Sequence, residues 1–295
     1  MRHVFVAIIL LASATATAAP HPEIARAKAL LDKQSAAIAK YDADKFLATF
    51  VASPFVIFPG ANAIADDEAA VRKLFRSEFA GGYSDGTNGV GGATWEHVHV
   101  VALGAGEGAV ASGDLTVSWA GGDEPTTFRV TELLVANPEN QALAVLAAQF
   151  SMSVPERQAV ANAADTKFRA AAMPGASDNA DAAKLIEQPA RAAAALLADP
   201  DVIVLGTETK ERAVGAPAAK KLLTAWKSLK LAVVGGVRTG SIGESGLGYF
   251  AANATLTAKK QVLPFRVLVF VRENPQTGEP TVLAIHFSSP AFASN

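Results

Sequence analysis

The chain has 295 residues, half of them apolar and 18% charged, with a net charge of −2 and no cysteine. The missing cysteines exclude disulfides, thiolate metal sites and a cysteine nucleophile. The balanced charge without a basic run gives no footprint of a nucleic-acid binder, and the apolar fraction is too high for a disordered chain. At roughly 150 residues per domain the length points to two domains.

The first element is an address. Met1-Arg2-His3 is a short basic start, residues 4–12 are an apolar run, and residues 13–19 are small and weakly polar. That is the pattern of a secretory signal, with Ala16-Thr17-Ala18 as the small-x-small cleavage site, so residues 1–18 are expected to be removed. The run is too short to span a bilayer, and no cysteine follows it to take a lipid. No other stretch has 18 uninterrupted apolar residues, so no membrane span is expected. A periplasmic or secreted chain is implied.

Helix formers over residues 23–41, with Ile24, Ala27, Leu31 and Ile38 near helical spacing, predict a first helix. A short helix over 44–50, a strand over 55–58 and a helix over 67–79 follow. Four strands close the series, at 95–103, 108–119, 126–136 and 143–151, joined by Gly- and Asn-containing hairpin turns. The series then repeats. Phe128-Arg129-Val130, Asn137-Pro138, Val145-Leu146-Ala147 and Phe150-Ser151 all recur 137 residues later, as Phe265-Arg266-Val267, Asn274-Pro275, Val282-Leu283-Ala284 and Phe287-Ser288. So many agreements at one offset mark two copies of one unit, expected at residues 20–154 and 155–295. The second copy reads as helices at 156–172 and 181–198, the latter kinked or restarted by Pro189, a strand at 202–205, a helix at 216–229, and strands at 231–239, 246–257, 264–272 and 281–288. Helices followed by an antiparallel sheet predict an α+β unit, and a sheet curled around a helix makes a cone whose open end can hold a small ligand.

Within the second copy, Gly206-Thr207, Glu211-Arg212 and Gly215 resemble the G-T-x-x-x-E-R-x-x-G stretch of SnoaL-like domains. Leu263-Pro264-Phe265-Arg266-Val267 is similar to their L-P-x-R-V strand, and His286-Phe287-Ser288-Ser289-Pro290 to their closing H-x-S-x-P. The resemblance covers nearly all of copy two and reaches copy one through the repeat. It implies two tandem cone-shaped α+β domains of the nuclear-transport-factor-like superfamily, each with N-terminal helices on a curved antiparallel sheet. That superfold hosts isomerases, dehydratases, cyclases, hydrolases and non-catalytic members, so it names no reaction. Copy one departs from the pattern: Gln149 stands where copy two has His286, and residues 59–66 lack the Glu-Arg pair.

Arg266 and His286 are the leading candidate pair. A hairpin turn centred near Gln276 sets them opposite or nearly so on one sheet face, about 5 Å apart at Cβ. There they could clamp an anion and move a proton. The strands are apolar on both faces, so alternation leaves open whether that face lines the cone or lies between the copies. Glu211 and Arg212 are further binding candidates, Tyr249 and Trp226 candidate aromatic walls, and Arg129 with Gln149 the copy-one counterpart without a titratable base. Trp95, His97 and His99 alternate on one strand, and without converging carboxylates they read as a strand face rather than a metal site. The glycines at 81–92 lack the G-K-[ST] of a phosphate loop. Asp114 is the nearest candidate for a buried acid. No cofactor is implied. The expectation is a non-catalytic binding or scaffold protein whose two domains pack as a pseudo-dimer and hold a small ligand, an anion if Arg266 faces it. The alternative is an enzyme working through His286 on a proton shift, elimination or hydrolysis.

Overall fold

The computed structural model describes residues 21–60, 63–80, 89–104, 106–121, 123–152, 172–196, 202–242, 246–258, 261–274 and 276–289. The signal segment, the expected helix at 156–172, the boundary near Pro155 and most of the Gly-rich loop lie outside the described residues. None of the described helices is long and apolar enough to cross a membrane.

The first half opens with α1 (Pro22–Ala39), which Pro22 and Glu23 start in the manner of a helix N-terminus. Ala27, Leu30, Leu31, Gln34, Ala37 and Ile38 form its buried stripe. Asp42 caps α2 (Ala43–Leu47) by accepting from Lys45 N at 3.0 Å, and Asp67 caps α3 (Glu68–Glu78) by accepting from Ala70 N at 2.7 Å. β1 (Phe50–Ile57) pairs with the two-residue β2 (Ile64–Ala65). Then come β3 (Val90–Ala102), β4 (Gly108–Trp119), β5 (Thr126–Ala136) and β6 (Leu143–Met152). The sheet order is β2-β1-β6-β5-β4-β3.

The second half repeats this plan. It contains α4 (Ala180–Glu187), capped by Asn179, then α5 (Pro189–Ala195), β7 (Ile203–Leu205), β8 (Arg212–Val214) and α6 (Ala216–Ala225). The remaining strands are β9 (Lys230–Val233), β10 (Arg238–Ile242), β11 (Leu247–Ala258), β12 (Gln261–Glu273) and β13 (Pro280–Ser288). Pro189 restarts the helix, as its missing N–H requires. The strand expected over 231–239 is broken in two, because Gly235 and Gly236 take φ of 69° and 101°. The sheets are also not wholly antiparallel. β1 lies parallel to β6, and β7 parallel to β13, each first strand adding itself beside the last.

Each half is a cone with its own core. In the first, α1, α2 and α3 close on one sheet face around Phe46, Phe50, Phe58, Phe75, Phe79, Phe128 and Phe150. In the second, the enclosed residues are mainly aliphatic, among them Leu185, Ile186, Leu223, Val267, Val269 and Ile285. A third apolar cluster joins the opposite faces of the two sheets: Phe55, Ile57, Leu133 and Ala147 pack with Ile203, Leu205, Leu268 and Phe270. Strands buried against helices on one side and a second sheet on the other are apolar on both faces.

Candidate functional site

The face between the sheets also gathers the polar side chains that the sequence singles out. On β12, Val267 and Val269 belong to the second cone's core while Leu268 and Phe270 belong to the inter-sheet cluster. Arg266 shares the latter face by alternation. β13 sets His286 opposite Leu268 and Ser288 opposite Arg266, so Arg266 and His286 are diagonal neighbours on that face.

Neither looks into a cone. Arg266 is 0% exposed, and its Nη1 donates to Phe58 O at 2.9 Å and Gly60 O at 2.7 Å, both in the first half. His286 is 1% exposed, and its Nε2 shares a 2.7 Å hydrogen bond with Ser151 Oγ of β6. Nδ1 of His286 has no partner among the described residues. Burial, then Arg129 and Arg212, push the imidazole down to about 3, so it is neutral at pH 7. Burial pushes Arg266 down to about 10, opposed by Glu78. Of the two placements that alternation left open, this pair takes the one in the seam between the halves. The imidazole is enclosed and fixed to the other half's serine.

The seam is reciprocal. Gln149 Nε2 donates to Ser288 Oγ at 2.9 Å and to the His286 carbonyl at 3.3 Å. Gln149 and Ser151 are the 137-residue counterparts of His286 and Ser288, so each half's Gln or His reaches the other half's serine. The arginines behave alike. Arg129 Nη1 donates to Gly206 O at 2.9 Å and Glu208 O at 2.8 Å, and its Nη2 to Thr209 O. These carbonyls follow β7, just as Phe58 and Gly60 follow β1. Such exchange of equivalent contacts is the property of a two-fold interface.

Charged groups finish one end of the seam. Arg212 Nη2 donates to Asp114 Oδ1, and Asp114 Oδ2 lies 2.9 Å from His97 Nδ1. Glu211 turns back to accept from Glu208 N at 3.0 Å and Trp226 Nε1 at 3.2 Å, which stiffens the loop that receives Arg129. Trp226 packs edge-on against Phe287, 5.0 Å between centroids, as part of the second core. The expected aromatic wall Tyr249 lies instead between the sheets. Its ring stacks on Phe55 at 4.9 Å, over space that Gly240 leaves free of a Cβ.

The expectation that Trp95, His97 and His99 share a face fails at a β-bulge. Glu96 pairs with Asp114 and His99 with Ser112, so His97 and Val98 of β3 stand against the single Gly113 of β4. His97 takes φ of 49°, Trp95 Nε1 reaches Leu31 O on α1 at 2.9 Å, and His97 reaches Asp114 on the far face. Among the described residues no group of three His, Asp or Glu side chains could hold a metal.

Sequence reasoning passed over Glu132. It is 1% exposed inside the first cone, accepts from Gln34 Nε2 at 3.0 Å, and burial raises its carboxyl to about 7 against the bond to Gln34. The signal was a charge within the apolar run of β5, between Thr131 and Leu133. The described hollows lie in the second half. One, of about 570 Å³, is lined by Asn179, Asp181, Thr239, Ser241, Phe250 and Glu273 among others. A neighbour of about 810 Å³ shares Asp181, Gly278 and Pro280 with it.

No protein-family model matches the chain, and no curated protein matches it. Solved structures do. A Nostoc punctiforme protein of unknown function with a cystatin-like fold is 17% identical over 45% of this chain and 92% of its own, with a TM-score of 0.37. A ketosteroid isomerase-like protein from Erwinia carotovora atroseptica is 19% identical over 45% of this chain and 98% of its own, with a TM-score of 0.37. Aln2 from a Streptomyces species is 21% identical over 45% of this chain and 93% of its own, with a TM-score of 0.36.

Proposed function

We propose that the chain is an exported, non-catalytic binding or scaffold protein in which two SnoaL-like cones are fastened face to face as an internal pseudo-dimer. The observation that carries this reading is the reciprocal use of Gln149, Ser151, His286 and Ser288 between the halves. Side chains that would be acid, base and anion clamp in an enzyme are consumed as fasteners. The alternative of an enzyme centred on His286 is weakened, because that imidazole is enclosed, is bonded to Ser151, and holds a proton too weakly to serve as a general base near pH 7.

Ligand binding is assigned to the hollow of about 570 Å³ in the second half, within the size range of small-molecule sites. Its described lining offers hydroxyls from Thr239 and Ser241, the Phe250 ring, and the carboxylates Asp181 and Glu273, with no Lys or Arg. That chemistry suits a neutral or cationic polar molecule better than the anion first expected. Thermal shift at pH 7.5 tests it, with glucose, ethanolamine, spermidine, acetate and benzoate as probes. A sugar or amine is expected to raise the melting temperature and the carboxylates to leave it unchanged, with the rise abolished in Ser241→Trp. No rise with any probe, or a rise that survives Ser241→Trp, removes the ligand from this hollow.

A further inference from the structure

The matched Gln/His and serine contacts of the seam differ in one chemical respect. At equivalent places, the first half contributes an amide, Gln149, and the second an imidazole, His286. The amide carries no charge at any pH, whereas the imidazole can take a proton. A proton there would arrive in poor surroundings. Two guanidiniums act on His286 from the first and second sheets, Arg129 on β5 and Arg212 on β8. The carboxylates that act on Arg129 are already engaged: Asp114 on β4 with Arg212 and with His97 on β3, and Glu211 with Trp226 and the backbone of Glu208. β6 offers Ser151 and the neutral Gln149, and β12 sets a third guanidinium, Arg266, diagonal to His286, with Glu78 of α3 acting on that arginine. No free anion among the described residues faces the ring.

Resting on the internal pseudo-dimer proposed above, we infer that His286 is an acid-operated latch: a proton taken up by this imidazole, between Arg129 and Arg212, parts the two cones while each keeps its own core. Each half keeps its own apolar cluster, so parting exposes the third, inter-sheet cluster and neither core, and that exposure is the cost the proton must offset. The driving force follows from linkage. Closed, the ring stays neutral to about pH 3. Open to water, it takes its proton near the ordinary value of about 6.5. The open form therefore binds the proton more tightly, and each pH unit below about 6.5 favours opening about tenfold until the closed-state value is reached. The seam also holds carboxylate–guanidinium pairs, Asp66 with Arg238 and Glu107 with Arg272. A carboxylate in water takes its proton about two pH units below an imidazole in water, so acid acts on His286 first.

A chain without cysteine gives a clean test. Lys28→Cys and Lys220→Cys place one dye on an exposed position of each half, and resonance energy transfer is followed from pH 8 to pH 3 with circular dichroism alongside. The full chain is expected to lose transfer at least one pH unit above the same chain carrying His286→Gln, with helix and strand signals still native at that point. An amide at that position would copy the Gln149–Ser288 bond without a titrating group. Equal midpoints in the two chains overturn the latch, as does transfer that persists to pH 3. Should His286→Gln fail to fold, a nuclear magnetic resonance titration of His286 in the unsubstituted chain decides. Protonation coincident with loss of transfer supports the latch, and protonation without it overturns it. None of these readouts uses a ligand, so a failed latch and a failed binding hollow are told apart.

Discussion

The two cones share a plan but fill it differently. The first closes on a cluster of phenylalanines, with Phe46 against Phe75 at 4.8 Å and Phe58 against Phe150 at 4.7 Å. It also buries a carboxyl, Glu132, where the second has Val269 at the same offset. The second is aliphatic and keeps the described hollows. Their third strands differ in the same place. A break in the pairing falls at His97–Val98 in β3 and, 137 residues on, at Val234–Gly235 between β9 and β10. In the second cone glycine takes the left-handed backbone without strain, and in the first a histidine takes it to reach Asp114. The contacts across the seam are matched between the halves while the core residues differ, aromatic in the first and aliphatic in the second.

The comparison can be broken at its arginines. Arg129→Met removes its bonds to three carbonyls of the loop after β7, of which Glu208 O keeps the Glu211 N–H, and is expected to cost about 3 kcal/mol in urea unfolding. Arg266→Met removes its bonds to Phe58 O and Gly60 O, of which Gly60 O keeps the Ala63 N–H, and also relieves a guanidinium with no exposed surface, so a smaller loss, about 2 kcal/mol, is expected. Equal or reversed losses would deny that Arg129 anchors the stronger end.

Next in size is the pH response of the first cone. Glu132 ionises near 4.5 in an unfolded chain and at about 7 when folded, so between those values the folded state holds the extra proton. Stability contributed by its neutral form is present below pH 4.5 and lost as pH rises from there through 7, about 3 kcal/mol in all. Glu132→Gln should flatten that decline, and an unchanged pH profile would place the carboxyl in water. His286 acts with the opposite sign, its contribution being present above pH 6.5 and lost as pH falls towards 3.

A double-mutant cycle sharpens the reciprocity. Gln149→Ala with Ser288→Ala should show coupling of about 1 kcal/mol, whereas simple additivity would mean that the two side chains do not act on each other. The smallest effect is expected at the bulge. His97→Gly relaxes a φ of 49° at the loss of one exposed hydrogen bond, and stability should change by less than about 1 kcal/mol.

Much of the fold was legible because the repeat and the hairpin turns are local. β4 and β5 fall at the expected residues, and Pro189 restarts a helix where its chemistry says it must. The bulge at His97 was not legible, since nothing in the residues 95–99 announces a positive φ. The parallel pairing of β1 with β6 was hidden as well, because it joins segments about ninety residues apart. For the candidate site, residue types were found but their direction was not. Phe265, Val267 and Val269 on one face and Leu268 and Phe270 on the other give no polar side from which to place Arg266. Apolarity on both faces was itself the mark of a sheet covered twice. Glu132, a single charge inside β5, was the overlooked exception.

Everything above requires His286 to be enclosed between the cones. Labelling with diethyl pyrocarbonate at pH 7, read by mass spectrometry, measures this directly. His97, with 69% of its side chain exposed, should be modified and His286 protected until the seam opens. Modification of His286 as fast as that of His97 would place the imidazole in an accessible hollow and contradict the seam.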